Sequence, residues 1–126
     1  DRVVVISGDG AFLSGGLSIE AAFQENVPIT VVIDNNGGLT TISQQQERLF
    51  ADEQHIATDF RDIPFHTMFE GMGGHGELVK KPEDLKPALE RALSSGKTAC
   101  VNVRTRSAIS PIVLATTSKR DKASIE

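Results

Sequence analysis

Apolar runs alternate with amphipathic stretches along this chain, and the alternation predicts strands separated by helices. Val3, Val4, Val5 and Ile6 stand in a row within residues 2–7. An unbroken β-branched run reads as a strand buried on both faces, as in a parallel sheet. Gly8-Asp9-Gly10 is the turn that ends it. Residues 18–25 predict a helix with Ile19, Ala22 and Phe23 on one face and Glu20, Gln24 and Glu25 toward water. Ser14 or Ser18 is its candidate cap. Asn26 stops it, and Pro28 forbids continuation. Residues 29–33 form a second buried strand, followed by a loop over residues 35–38 whose Asn and Gly tolerate unusual backbone angles.

Residues 41–50 are weakly helical, and residues 51–63 read as a polar connection. A short helix over 64–72 carries Phe65, Met68 and Phe69 on one side. Gly73, Gly74 and Gly76 lead into a short strand over 77–80. Residues 82–95 give the clearest helix, with Leu85, Ala88, Leu89, Ala92 and Leu93 as its apolar stripe and Gly96 as its stop. Pro87 costs that helix a hydrogen bond, so a start after Pro82 is expected. Residues 99–104 form the last strand, and 105–126 a tail with Lys119, Arg120 and Lys122 clustered. The order β-α-β-α-α-β-α-β implies right-handed crossovers. The expected fold class is α/β, a doubly wound parallel sheet with helices on both faces.

Composition narrows the function classes. A length of 126 residues fits one domain. The net charge of −4 is spread along the chain, and Trp and Tyr are absent, so a nucleic-acid surface is not expected. No apolar run approaches the ~20 residues of a membrane span. The single Cys100 sits in the last strand and reads as a small buried hydrophobe, which makes a reducing cytoplasm the default location. The chain opens on Asp1 with a strand at once, which is the expectation for part of a longer polypeptide lacking the first elements of its sheet.

The chemistry lies where the first two strands end. In a parallel sheet both strand ends share the carboxyl edge, where ligands bind. That logic brings Asp9 and Asn36 to one place. A carboxylate and an amide oxygen beside bare glycine backbone suit Mg²⁺, which takes about six oxygens and favours phosphate ligands. The loop after Asn36 can add a carbonyl, that of Gly38. Gly8 and Gly10 leave room for close approach, and the N–H groups of Gly10 and Ala11 can donate to a phosphate. A lone Gly-Asp-Gly is usually only a turn; its place between a buried strand and a helix, with Asn-Asn at the next strand end, gives it function. Asn35 either holds the loop or touches the ligand. Glu20 is a solvent- or subunit-facing residue. His55, His66 and His75 lack metal-ligand spacing, and His75 serves a turn. Gln44, Gln45 and Gln46 read as a polar helix face. A rival reading is a non-catalytic phosphate- or nucleotide-binding module, although no G-x-G-x-x-G follows the first strand.

GDGAF followed by VIDNNGG resembles the diphosphate-binding motif of thiamine-diphosphate enzymes. VVVISGDGAF, ENVPITVVIDNNGG, GGHGELVKKPEDLKPALERALSSGKTACVNV and SPIV extend the resemblance to the C-terminal domain of the acetolactate synthase-like group. That group also includes oxalyl-CoA decarboxylase, 2-hydroxyacyl-CoA lyase and benzaldehyde lyase. The resemblance implies thiamine diphosphate and Mg²⁺ as cofactors. It implies Asp9, Asn36 and the carbonyl of Gly38 as metal ligands. It places Gly8, Gly10 and Ala11 at the diphosphate and Leu39 near the thiazolium. The group's activating glutamate lies on a pyrimidine-binding domain, usually of a second subunit, in a homodimer or homotetramer. No catalytic residue is therefore expected in this chain, and the chain alone is expected to be inactive. The implied domain is 1–104, with 105–126 as a C-terminal tail. Carboligation of 2-keto acids is the first expectation, with decarboxylase or lyase chemistry second.

Overall fold

The computed structural model describes residues 2–49 and 55–115. In chain order the elements are β1 Val3–Gly8, α1 Asp9–Gly15, a 3-10 turn over Gly16–Ile19, α2 Glu20–Gln24 and β2 Ile29–Asn35. They continue with α3 Thr40–Leu49, α4 Phe65–Gly71, β3 His75–Val79, α5 Pro82–Ser94 and β4 Ala99–Arg104. Two units separate, bounded Asp1–Asn36 with Asp62–Thr105, and Gly37–Arg61 with Arg106–Glu126.

The first unit is a parallel sheet in the order β1-β2-β4-β3. Its winding follows from handedness. Right-handed crossovers running from β1 toward β3 lay their helices on one face, and the return step from β3 to β4 lays α5 on the other. The first face buries Phe12, Val31, Ile33, Phe65, Phe69 and Cys100. Phe12 meets Phe65 edge-on with ring centroids 5.6 Å apart, a favoured aromatic geometry. The second face packs Val79, Ala99 and Val101 against Ala88 and Ala92 of α5. The doubly wound α/β class expected from the sequence is the fold observed. Burial makes Cys100 inert as a thiol, raising its pKa to about 12.

Several local expectations differ. The run Val3–Ile6 is not buried: Val4 is 48% exposed and Ile6 79%. β1 pairs only with β2 among the described residues, so its apolar side chains lack cover on one edge. Val5, Phe12, Ile19, Val27, Ile29 and Val31 line a groove of about 550 Å³ beside it. Gly8-Asp9-Gly10 is not a free turn, because Asp9 already opens α1. Ser14 and Ser18 do not cap a helix start; their hydroxyls donate back to the carbonyls of Gly10 and Gly15. Strand β2 runs two residues past Ile33. Helix α5 does start at Pro82 and keeps Pro87 inside. The hydrogen bond that Pro87 forfeits would have gone to the carbonyl of Glu83, in the exposed first turn where water serves it.

The second unit is built around α3. Gly37 has φ +89°, a left-handed conformation that favours glycine. A Cβ on Gly38 would run into the carbonyl of Thr58. The Leu39 N–H donates to that carbonyl at 2.8 Å, and the Phe60 N–H donates to the Gly37 carbonyl at 2.8 Å. Ser43 donates to Thr58 Oγ1 at 2.8 Å, and Gln44 Nε2 to the Ala108 carbonyl at 2.8 Å. His55 lies between Asp59 (2.8 Å) and Glu47 (2.7 Å), whose hydrogen bonds raise its pKa, that of Asp59 most. The tail's basic cluster at Lys119, Arg120 and Lys122, and residues 51–54 of the polar connection, lie outside the described residues.

Candidate functional site

The register of the first unit fixes where its chemistry sits. Gly8 stands opposite Asp34, so β1 and β2 end side by side on the carboxyl edge. One residue on, Asp9 begins α1 and is only 2% exposed. Its Oδ1 accepts the Gly10 N–H at 2.7 Å, which pins the carboxylate at the strand–helix junction. That N–H, expected to face a phosphate, is thus already donated to Asp9. Gly10 is buried and Ala11 exposed. A Cβ on Gly8 would meet nothing within 4 Å, so the backbone there is open to close approach.

Asn35 and Asn36 part company. Successive residues of a strand point to opposite faces. Asn35, 2% exposed, turns inward. Its Oδ1 accepts from Arg104 Nη1 at 3.1 Å, and its Nδ2 donates to Asn102 Oδ1 at 3.0 Å and to the Ile63 carbonyl at 3.4 Å. Of the two readings left open for Asn35, the geometry favours holding the strand end. Asn36 is the opposite case. Its Oδ1 is buried and finds no hydrogen-bond partner among the described residues. A buried acceptor left unpaired is costly, and a bound cation or donor would relieve it.

A carboxylate and an orphaned amide oxygen fit a hard cation. No group of three or more His, Cys, Asp or Glu residues able to hold a metal occurs among the described residues. A site with one carboxylate, completed by phosphate oxygens and water, matches the habit of Mg²⁺. Gly38 and Leu39 follow Asn36 in the chain but belong to the second unit, where backbone bonds to Thr58 and Phe60 hold residues 37–39.

Other candidates have ordinary duties. Glu20 is exposed. His75 bonds Glu77 at 2.8 Å, and Arg91 grips the same carboxylate through two nitrogens at 2.7–2.8 Å. The Arg91 hydrogen bond chiefly, helped by His75, lowers the Glu77 pKa. Gln46 serves Ile56 rather than a ligand. Sequence reasoning passed over Asn102 and Arg104, and weighed His66 only as a metal ligand. Asn102 is fully buried, and its Nδ2 lies 3.3 Å from His66 Nδ1. The available signal was one asparagine in the otherwise apolar run ACVNV.

Residues 1–103 match the family described as "Thiamine pyrophosphate enzyme, C-terminal TPP binding domain". The chain belongs to that family, and its cofactor class is thiamine diphosphate. It is 38% identical over 105 residues to the acetolactate synthase large subunit of Mycobacterium tuberculosis, covering 82% of this chain and 19% of that protein. It is 32% identical over 114 residues to 2-hydroxyacyl-CoA lyase of Oryza sativa, covering 82% and 19%. Among solved structures, the thiamine diphosphate-dependent 4-hydroxybenzoylformate decarboxylase of Rhodococcus jostii superposes with TM-score 0.75 at 28% identity. That match covers 86% of this chain and 20% of the other. The chain thus spans about a fifth of the length of these relatives.

Proposed function

We propose that this chain supplies the diphosphate- and magnesium-binding half of a thiamine-diphosphate-dependent enzyme performing acetolactate synthase-like carboligation of 2-keto acids. The observation that carries the site is the buried, unpartnered Oδ1 of Asn36 beside the strand end that bears Asp9. In this reading Asp9, Asn36 and the carbonyl of Gly38 hold Mg²⁺. Gly8, Gly10 and Ala11 border the diphosphate, and Leu39 borders the thiazolium. The Gly10 N–H keeps the Asp9 carboxylate oriented, so the edge is preorganised for the metal. The bound cofactor would supply an electron sink for a carbanion. Residues 1–104 are the cofactor-binding domain. The glutamate that activates the aminopyrimidine comes from a pyrimidine-binding domain, in a second subunit of a homodimer or homotetramer. Similarity to a 2-hydroxyacyl-CoA lyase and to a decarboxylase structure supports lyase or decarboxylase chemistry as the second reading.

Calorimetry of thiamine diphosphate with Mg²⁺ tests the site. Asp9→Ala should abolish the magnesium-dependent component, since a methyl cannot ligate a hard cation. Asn36→Ala should weaken it less, by loss of a neutral ligand. Unchanged affinity in the Asp9 variant refutes the assignment. Turnover assays with pyruvate, 2-hydroxyacyl-CoA and oxalyl-CoA on the complete protein separate the two reactions.

A further inference from the structure

A polar chain runs through the middle of the sheet where apolar packing would be cheaper. Arg104, ion-paired to Asp62, donates to Asn35; Asn35 donates to Asn102; Asn102 reaches His66 on α4. Asn102 is 0% exposed and sits opposite Ile33 in the register, on the face that carries Phe65 and Phe69. An amide in such a place is tolerated only if its bonds are made. Its Oδ1 is taken by the Asn35 N–H, so its Nδ2 faces His66 Nδ1, which must accept. The neutral His66 ring then carries its hydrogen on Nε2.

We infer that Asn102 is a positioning residue for the metal edge, acting through Asn35 on Asn36. Asn35 is clamped from both ends of its amide, by Arg104 on the oxygen and Asn102 on the nitrogen. With Asn35 unable to rotate, the end of β2 has one conformation, and the next side chain is delivered with its oxygen free. His66 closes the chain from α4 and fixes which way the Asn102 amide faces. The inference rests on the reading of Asn36 as a magnesium ligand.

The test is a Mg²⁺ titration of thiamine diphosphate binding, followed by calorimetry on the complete protein, with thermal melting as the check on folding. Asn102→Leu leaves Asn35 Nδ2 only its 3.4 Å bond to Ile63. The Mg²⁺ midpoint should rise about tenfold, the usual scale for partners that orient a metal ligand. The bound plateau at saturating Mg²⁺ should stay at the wild-type level. A misaimed ligand is overcome by more metal, whereas a general structural defect lowers the plateau. Should Asn102→Leu not fold, His66→Leu and His66→Gln decide. The leucine removes the acceptor and should raise the midpoint, whereas glutamine offers Oε1 in its place and should restore it. A wild-type midpoint in folded Asn102→Leu overturns the inference, as does a lowered plateau without a midpoint shift. Equal midpoints in the two His66 variants overturn it likewise. Asp9→Ala, run alongside, separates the premise: magnesium dependence retained there removes the metal reading itself.

Discussion

The two outer strands of the sheet, β1 and β3, are managed in opposite ways. β3 is short and enclosed. Gly76 lies so close to α4 that a Cβ would strike the His66 carbonyl, and Val79 is 1% exposed in the core beneath α5. On the same face as Val79 it carries His75 and Glu77, the latter held by Arg91 of α5. Charge and helical cover are how natural proteins protect a sheet edge. Among the described residues β1 has neither: four apolar side chains in a row are each at least 42% exposed. The contrast teaches that an apolar strand states a need for cover without saying what supplies it. The more hydrophobic of the two strands is the less buried.

The comparison breaks most visibly under a buried charge. Val79→Asp should destroy cooperative unfolding, because an unpaired carboxylate in that core costs several kcal/mol. Ile6→Asp, on the far strand, should leave the melting transition in place, as circular dichroism will show. A collapse of both variants would mean that β1 is structurally as central as β3. A second contrast concerns association. Sedimentation should show concentration-dependent self-association of the chain that Ile6→Lys weakens about tenfold, or ~1.4 kcal/mol. Leu78→Lys on β3 should leave it unchanged. The smallest effect is electrostatic. The Glu77 pKa is lowered in the fold, chiefly by its Arg91 hydrogen bond. Its contribution to stability is therefore complete above the ordinary value of 4.5 and is lost as pH falls through the folded value. Arg91 is 56% exposed, so solvent screening keeps the contribution of the pair small. Denaturation of wild type and Glu77→Gln across acid pH should show the gap closing on the acid side.

Much of this architecture was legible because its periodicities are strong. The 82–94 helix and the 99–104 strand fall where their apolar patterns put them. The shared edge of Asp9 and Asn36 follows from parallel β-α-β logic alone. Helix α1 was not legible: Gly10 and Gly15 lower its propensity, and it is held by Phe12, 5% exposed, packing on the core. The inward turn of Asn35 was hidden because two polar residues, Asp34 and Asn35, extend β2 beyond its apolar run. Backbone pairing with β4 carries them there, not hydrophobicity. Asn102 was hidden in the opposite way, as a polar letter inside a strand otherwise read as core. Its partners lie 36 and 67 positions away in the chain, beyond any local pattern.

The asparagine doublet has a consequence that is a matter of parity. A strand counts in twos, and two identical amides in succession give one odd and one even position. Deleting any single residue between Ile29 and Ile33 would move each amide to the other's phase. The Asn-Asn pair would still be present in the sequence. Yet Asn36 would occupy the place braced by Arg104 and Asn102, and Gly37, with no amide to offer, would stand at the tip. The doublet therefore offers no redundancy: the site is written in phase as well as in residue type, and a search for Asn-Asn alone reads only half of it.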